Sequence, residues 1–211
     1  MLHDSRGQSP VSGIGTAHML TRFAPSPSGP LHLGHAYSAV QAALLGSALK
    51  LRIDDIDGTR SRDEFVAAAL ADLAWLGVAW EPPLWRQSAH LSTYAAALER
   101  LVGMDLVYPC FCTRADIAAS AVAPHGPSGP IYPGTCRNLS ADQRTARAAV
   151  LPYAWRLDMG RAAAVAGPLT ASDNGAMTVF DPLPHGDVVI ARKDAPASYH
   201  LASTLDDAAM G

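Results

Sequence analysis

A short apolar stretch, a loop of prolines and glycines and a helix-forming stretch follow one another near the start of the chain. "LTRFA" (20–24) predicts a buried strand, "HAYSAVQAALLGSAL" from His35 predicts a helix, and "LKLRID" (49–54) predicts a second strand. Strand, helix and strand in this order form a βαβ unit, with parallel strands and a right-handed crossover. This feature limits the fold to the α/β class.

Further elements are predicted along the rest of the chain. Ser61 and Glu64 are expected to form a capping box at the start of a helix that ends at Gly77. "YAAALERLVGM" (94–104) predicts another amphipathic helix, and helical composition returns at 140–149. The final predicted strands are "GDVVIARK" (186–193) and "SYHLAST" (198–204).

Composition bounds the class of protein. Of 211 residues, 49% are apolar and 17% are charged, which is typical of a globular chain. The net charge of -3 excludes a general basic field, so nucleic acid would need a local patch. Arginines that could supply such a patch are Arg114, Arg137, Arg144 and Arg147. No apolar run approaches the ~20 residues of a membrane span, so we expect no membrane partner.

The N-terminal segment does not have the pattern of a secretion signal, because no basic start precedes an apolar core. We expect residues 1–19 to be a disordered leader, with Met19 a possible true start. The three cysteines are odd in number and clustered. Without an export signal, this predicts a reduced, cytoplasmic compartment and no disulfides.

The proline-glycine loop predicts a phosphate site. Ligands of doubly wound sheets bind beyond the carboxyl ends of the strands, where helix N-termini offer N–H groups and positive charge. Gly29 and Gly34 would allow close approach, and His32 and His35 would donate to phosphate oxygens. The alternative is a proline-rich turn with incidental surface histidines.

The cysteines predict a metal site in a segment (108–137) with few apolar periods and many turn residues. Cys110 and Cys112 form a Cys-x-Cys turn, and Cys136 returns after a long loop. Zinc is the usual partner of such a set in a reduced compartment and needs a fourth ligand. From chemistry alone His125 comes first, since imidazole is a common ligand. The alternative is three incidental thiols.

Several motifs together resemble one enzyme family. "PSPSGPLHLGH" (25–35) resembles the signature region of class I aminoacyl-tRNA synthetases, and "RFAPSPSG" (22–29) that of the glutamyl/glutaminyl branch. "LRIDDIDGTRSRDEF" (51–65) is similar to the Arg-Ile-Glu-Asp stretch of that branch. The cysteine segment and "SYHLASTLDDAAMG" (198–211) resemble the glutamyl-Q tRNA(Asp) synthetase family. The resemblance covers essentially residues 21–211.

The resemblance implies a Rossmann-type parallel-sheet nucleotide-binding domain with a small zinc-binding insert. The first half of the catalytic domain would span 20–107, the insert and following helix 108–150, and the return to the catalytic domain 151–211. It implies tRNA-independent activation of L-glutamate with ATP and Mg²⁺, then transfer of glutamate to queuosine in the anticodon of tRNA(Asp).

The resemblance also assigns roles to residues. Those implied for glutamate binding are Arg22, Phe23, Ala24, Pro25, Ser26, Asp54 and Tyr199. Those implied for ATP binding are Pro25, Gly29, His32, Gly34 and His35, the two histidines being catalytic. The implied zinc ligands are Cys110, Cys112, Tyr132 and Cys136, with Tyr132 instead of His125.

The chain departs from the family pattern in three respects. Asp54 stands where the family has a glutamate, the segment from His35 to Leu51 is shorter, and no Lys-Met-Ser-Lys-Ser-like loop follows. The last point leads us to expect a C-terminally truncated enzyme that exposes apolar surface. Other hypotheses are the catalytic portion of a glutamyl-tRNA synthetase, a small-molecule nucleotidyltransferase and a non-catalytic zinc-binding remnant.

Overall fold

In the computed structural model, the structure describes residues 19–118, 125–126, 129–173 and 175–211. Apart from Met19, the predicted leader lies outside these residues. The chain forms two compact units. Unit one contains the residues up to Ile53 together with Arg62–Trp85, and unit two contains Asp54–Ser61 and Arg86–Gly211.

Unit one contains the predicted βαβ unit. Its sheet has the order β1 (Leu20–Phe23), β2 (Ala48–Ile53), β3 (Glu81–Arg86). Strands β1 and β2 are parallel, pairing from Leu20↔Ala48 to Phe23↔Leu51. Helices α1 (Leu33–Leu45) and α2 (Asp63–Trp75) follow the first two strands. The α/β prediction is confirmed.

The core of unit one lies between this sheet and the two helices. All of its buried residues but Val78, which lies in the connection between α2 and β3, come from the alternating positions of the strands and from one face of each helix, as the periods of both elements require. They are Phe23, Ala39, Leu49, Leu51, Leu73 and Val78. Gly77 has φ 71° and ends α2 as predicted, because this left-handed conformation costs glycine little.

The predicted capping box at Ser61 is wrong. Helix α2 begins only at Asp63, and its N-cap Arg62 makes no side-chain cap. Ser61 belongs to the preceding turn, where its N–H donates to the Asp57 carbonyl at 3.0 Å. Asp63 and Glu64 lie in the first turn instead, where negative charge complements the helix dipole.

Unit two combines five helices and small antiparallel sheets among the residues that the structure describes. Its helices are α3 (Leu91–Gly103), α4 (Arg114–Ala118), α5 (Ala141–Ala148), α6 (Met159–Ala166) and α7 (Tyr199–Met210). Its strands are β4 (Val107–Cys110), β5 (His125–Gly126), β6 (Gly129–Pro130), β7 (Ala154–Leu157), β8 (Leu169–Asp173), β9 (Ala176–Phe180) and β10 (Val189–Ala191). Short 3₁₀ turns occupy Gln87–His90 and Leu183–His185.

The main sheet of unit two has β7 in the centre, antiparallel to both β4 and β10. The core beside it is formed by α3, α7 and these strands. Its buried residues are Tyr94, Val107, Ile190, Ala197, Leu201 and Ala202. The parallel arrangement predicted from the first strands therefore does not extend through this sheet.

The prediction of a strand at "SYHLAST" is wrong, because this segment opens α7. Ser198 caps the helix, its side chain accepting from the Leu201 N–H at 3.4 Å. Leu201, Ala202 and Leu205 pack against the core at helical spacing. A seven-residue window was too short to distinguish that spacing from alternation.

Three predicted elements of unit two are confirmed, since α3 (Leu91–Gly103) covers nearly all of the helix predicted at 94–104, and others, among them β7 and α6, were missed. Helix α5 follows the capping residue Ser140, and β10 lies within the predicted 186–193. The hairpin β8–β9 was missed, although "DNGA" (173–176) holds the Asn-Gly pair that favours such turns. Among the described residues, no helix has the length and apolar character that a membrane crossing requires.

Candidate active site and metal centre

The loop after β1 is held rigidly within unit one. Pro25 and Pro27 are buried, while Ser26 between them is exposed. The Pro27 carbonyl accepts the Arg62 N–H at 3.1 Å, which ties the loop to the start of α2. Fixed proline φ angles and this bond leave the loop few conformations, so the backbone position of Ser26 is restricted.

His32 and His35 form a reciprocal cap at the start of α1. The His32 Nδ1 accepts from the Gly34 N–H at 3.1 Å, and the His32 N–H donates to the His35 Nδ1 at 3.2 Å. The rings stack with their centroids 3.8 Å apart. Since each Nδ1 accepts, each neutral ring carries its proton on Nε2, which remains available as a donor. Sequence reasoning predicted the donors but not this cap.

The electrostatics of the pair favour a neutral His35. Partial burial, and then the like charge of His32, lower the pKa of His35 below its ordinary 6.5. The bond from the His32 backbone also requires an unprotonated His35 Nδ1. The pair therefore acts as hydrogen-bond donors through Nε2 and not as two fixed positive charges.

The two glycines of the predicted phosphate site differ in their surroundings. A Cβ at Gly34 would lie 3.0 Å from the His32 ring, so Gly34 lets that ring cap the helix. A Cβ at Gly29 would meet no atom within 4 Å. The protein's own packing therefore does not require glycine at 29, and close ligand approach stays a prediction there.

The residues predicted to bind glutamate are divided between the two units. Residues 22–26 belong to unit one, where Phe23 is committed to the core and Arg22 and Ser26 are exposed. Asp54 and Tyr199 belong to unit two. Tyr199 is the first residue of α7 and is 56% exposed.

The acidic segment after β2 is not a solvated turn at its start. Asp54 and Asp55 are both buried. The Asp55 carboxylate accepts from Arg86 Nε at 2.9 Å and from the Ser88 N–H and Oγ at 2.8 and 2.7 Å. Only Asp57 forms an open turn, accepting from the Thr59 hydroxyl at 2.6 Å. Sequence reasoning missed the structural role of Asp55.

The three cysteines come together in unit two. They are free thiols, and their Sγ atoms all lie within 4.8 Å of one another, with Cys112 and Cys136 at 3.6 Å. The Tyr132 hydroxyl lies 3.7 Å from the Cys112 Sγ and accepts from the Cys136 N–H at 2.7 Å. The structure therefore gathers all four residues of the predicted zinc set.

The donor set fits a tetrahedral metal ion. With Zn–S bonds of ~2.3 Å, tetrahedral geometry separates sulfurs by about 3.8 Å, close to the separation of Cys112 and Cys136. Burial raises the pKa of Cys112 to about 11. It also raises the Tyr132 pKa, as do hydrogen bonds to the thiols. Burial would raise the pKa of Cys136 as well, but hydrogen bonds, first that of Tyr132, lower it overall.

Several other predicted residues are placed differently. The side chains of His125 and Arg114 lie outside the described residues, so no distance compares His125 with Tyr132. Arg137 pairs with Asp187 at 3.2 Å, and Arg144 donates to the Arg137 carbonyl at 2.7 Å. Both arginines support the fold, and of the three patch arginines whose side chains the structure describes, Arg147 is the exposed one.

The parallel βαβ unit, with its loop and capped helix, is the arrangement of an α/β nucleotide-binding protein. The family model described as "tRNA synthetases class I (E and Q), catalytic domain" matches residues 18–211. The chain therefore belongs to this family, whose members are aminoacyl-tRNA synthetase ligases.

Curated relatives carry a narrower name. The chain is 44% identical over 208 residues to the glutamyl-Q tRNA(Asp) synthetase of Rhodobacter capsulatus, an alignment that covers 92% of this chain and 74% of that protein. It is 40% identical over 213 residues to the protein of the same name from Symbiobacterium thermophilum, covering 90% of this chain and 62% of that protein.

Solved structures share the fold. A glutamate tRNA ligase from Elizabethkingia meningosepticum, crystallised with its amino acid, aligns with a TM-score of 0.65 at 24% identity. The alignment covers 92% of this chain and 42% of that ligase. At this identity the likeness supports the α/β fold alone.

Proposed function

We propose that this protein activates L-glutamate with ATP, without tRNA, and transfers the glutamyl group to queuosine in the anticodon of tRNA(Asp) in the cytoplasm. The names of its relatives support the substrate. The observation that carries the proposal is the reciprocal cap of His32 and His35. It leaves two Nε2–H donors at a helix N-terminus beside a rigid loop.

In the activation step, a carboxylate oxygen of glutamate attacks the α-phosphorus of ATP. A bond forms between this oxygen and the α-phosphorus, the bond between the α-phosphorus and the oxygen that bridges to the β-phosphate breaks, and pyrophosphate leaves. Such chemistry depends on positioning and charge stabilisation and needs no protein nucleophile. His32 and His35 would donate to phosphate oxygens through Nε2, and Mg²⁺ would neutralise phosphate charge when bound.

The glutamate subsite is proposed at Arg22, Phe23, Ala24, Pro25, Ser26, Asp54 and Tyr199. Arg22 can pair with a carboxylate, and Ser26 can donate to one. Phe23 would act through its backbone, because its side chain lies in the core. Asp54 would bind the ammonium group of the substrate. The ATP subsite is proposed at Pro25, Gly29, His32, Gly34 and His35.

A structural zinc ion is proposed at Cys110, Cys112, Tyr132 and Cys136. Thiolates suit zinc, and the gathered donor atoms support this choice. When bound, the ion would supply cross-linking and no reaction step. Substituting Tyr132 by Phe should reduce bound zinc. Full retention in that variant, with loss in His125→Ala, would reassign the fourth ligand.

The test is glutamate-dependent ATP–pyrophosphate exchange by the zinc-loaded chain without tRNA. Exchange, followed by transfer to queuosine-containing tRNA(Asp) but not to the unmodified transcript, is the expected result. No exchange, with activity restored when the further segment of the longer relatives is fused on, would indicate an inactive portion of the enzyme. No exchange in either form would favour the non-catalytic zinc-binding remnant.

A second candidate is the catalytic portion of a glutamyl-tRNA synthetase. A curated relative from Gluconacetobacter diazotrophicus, named glutamate–tRNA ligase 2 and 38% identical over 205 residues, favours it. Charging of the 3′ end of whole tRNA, in place of the anticodon base, would select this candidate. Hydrolysis of the charged tRNA to nucleosides, with identification of the nucleoside that carries glutamate, distinguishes the two.

A further inference from the structure

Arg156, in the central strand β7, lies against one of the proposed metal ligands. The carbon of its guanidinium is 3.9 Å from the centroid of the Tyr132 ring. This is contact distance for a cation on an aromatic face. The comparable pair in the same unit, Arg144 over Tyr108, is separated by 5.9 Å. The Arg156–Tyr132 pair is therefore the closer of the two stacked pairs.

The guanidinium of Arg156 is anchored on the side of the sheet. Its Nη1 donates to the Asp187 carbonyl at 2.6 Å. The Asp187 side chain is itself fixed, accepting from the Met159 N–H at 3.0 Å and from Arg137 at 3.2 Å, and from the Tyr108 hydroxyl. Arg156 thus connects a buried polar network to the ring of Tyr132.

Not every nitrogen of the Arg156 guanidinium donates a hydrogen bond among the described residues. Its Nε is buried and has no hydrogen-bond partner among the described residues. A buried donor without a hydrogen-bond partner lowers the free energy of unfolding by about 1–3 kcal/mol. Hydrogen bonding at Nε therefore does not contribute to this orientation, which the Nη1 bond to Asp187 and the contact with the face of Tyr132 support.

The edge of the same ring carries the oxygen that faces the thiols. It accepts from the Cys136 N–H at 2.7 Å and lies 3.7 Å from the Cys112 Sγ. The contact of Arg156 on the ring face disfavours movement of this oxygen away from the thiols.

We propose that Arg156 is a positioning residue of the metal centre: anchored to Asp187, it stacks on Tyr132 and holds the phenol oxygen where it completes the three-thiol site. This rests on the proposed zinc site. Residues that orient metal ligands in this way typically contribute 10- to 100-fold to metal affinity. Arg156 is not one of the four proposed ligands, and its contact with them is the face of Tyr132, so it acts on the ion through Tyr132.

The test measures metal binding and not catalysis. Cobalt(II) is titrated into the metal-free chain while its visible absorption is followed, and zinc affinity is measured against a chromogenic chelator. Arg156→Met should weaken zinc binding by about 10-fold or more and alter the cobalt spectrum. Arg144→Met, which removes a guanidinium from Tyr108 and a bond to the Arg137 carbonyl but leaves the contact on Tyr132, is the matched control and should weaken zinc binding less than Arg156→Met does.

A double-mutant cycle separates positioning from general stability. In a Tyr132→Phe chain, Arg156→Met should have no further effect on zinc affinity, because the oxygen it positions is gone. Losses that multiply in the double variant, or an unchanged affinity in Arg156→Met alone, would overturn the inference. If Arg156→Met fails to fold, Arg156→Lys, which keeps the charge without the planar face, is scored by the same criteria.

Failure of the metal site and failure of this inference have different results. An unsubstituted chain that binds neither zinc nor cobalt would overturn the metal centre and the role of Arg156 with it. Tight metal binding that ignores Arg156 would overturn that role alone. Because no measurement uses glutamate, ATP or tRNA, the outcome does not depend on the catalytic proposal.

Discussion

The histidine loop of unit one and the thiol cluster of unit two are ordered by different forces. The loop follows a parallel strand and is supported by six buried apolar residues and by backbone bonds. The thiol cluster has four buried residues, and three of them, Cys110, Tyr132 and Cys136, are proposed metal ligands. In the first region the apolar core holds the site in place, whereas in the second a bound metal ion would hold the surrounding segment in place.

Removing the metal should break this comparison most strongly. Structural zinc contributes on the order of 10–16 kcal/mol in small modules, so a chelator should unfold the cluster around Cys110 and Cys136. Hydrogen exchange should show protection lost in β4 and retained in β1, β2 and α1. Readdition of zinc should restore it. Equal loss in both regions would contradict the separation into two kinds of site.

Substitution of His32 should separate its capping role from its proposed catalytic role. His32→Ala removes both, and should lower stability by ~1 kcal/mol and ATP–pyrophosphate exchange by ~10²–10³-fold. His32→Asn keeps an N-cap side chain but loses the Nε2 donor, so its stability should be nearly unchanged while exchange falls equally. The measurements are denaturant midpoints and exchange rates. Full exchange in His32→Asn would leave the cap as its only role.

A pair of glycine substitutions distinguishes a glycine needed for packing from one needed for a ligand. Gly46→Ala would place a Cβ 2.4 Å from the Thr21 Oγ1 and 2.8 Å from the Ala48 carbonyl, and should destabilise unit one by ~1–3 kcal/mol. Gly29→Ala should change stability by less than ~0.5 kcal/mol but raise the KM for ATP. An unchanged KM would show that no nucleotide approaches residue 29 closely.

The smallest expected effect is the pH dependence of the histidine cap. The folded-state pKa of His35 lies below 6.5, first because of burial and then because of His32. A base whose pKa is lowered on folding stabilises the fold fully above about pH 6.5, and this contribution is lost as the pH falls toward the folded pKa. NMR titration of the His35 ring should show the lowered pKa, partly raised in His32→Asn. A value at or above 6.5 would contradict this.

The sequence predicted the first region better than the second. The βαβ unit was predictable because its apolar patterns are long. The end of α2 was predictable because Gly77 has the left-handed backbone conformation that favours glycine. The gathering of the cysteines was predictable from their spacing and their chemistry. The reciprocal histidine cap was not, because imidazoles are not among the usual N-cap residues.

The remaining failures were non-local. Ser61 matched the local pattern of a cap, but its backbone was already used by the turn at Asp57. The segment that begins at Tyr199 is too short for its apolar pattern to distinguish a helix from a strand. The helix becomes evident only from the core that Leu201 contacts. The stacking of Arg156 on Tyr132 joins residues from two segments, and nothing in either segment predicts it.

The closeness of Cys112 and Cys136 has a consequence for redox chemistry. Their sulfurs, 3.6 Å apart, need to approach to only ~2.05 Å to form a disulfide. A bound metal ion would protect the pair from oxidation, because each sulfur would donate a lone pair to the ion. A two-electron oxidant that reached the pair would join Cys112 and Cys136 in a disulfide. Cys110 and Tyr132 would then be the only proposed ligands left, and two ligands are too few to hold the ion. Metal release and loss of titratable thiol should therefore occur together, and simultaneous assays of both would report the oxidation state of the protein's surroundings.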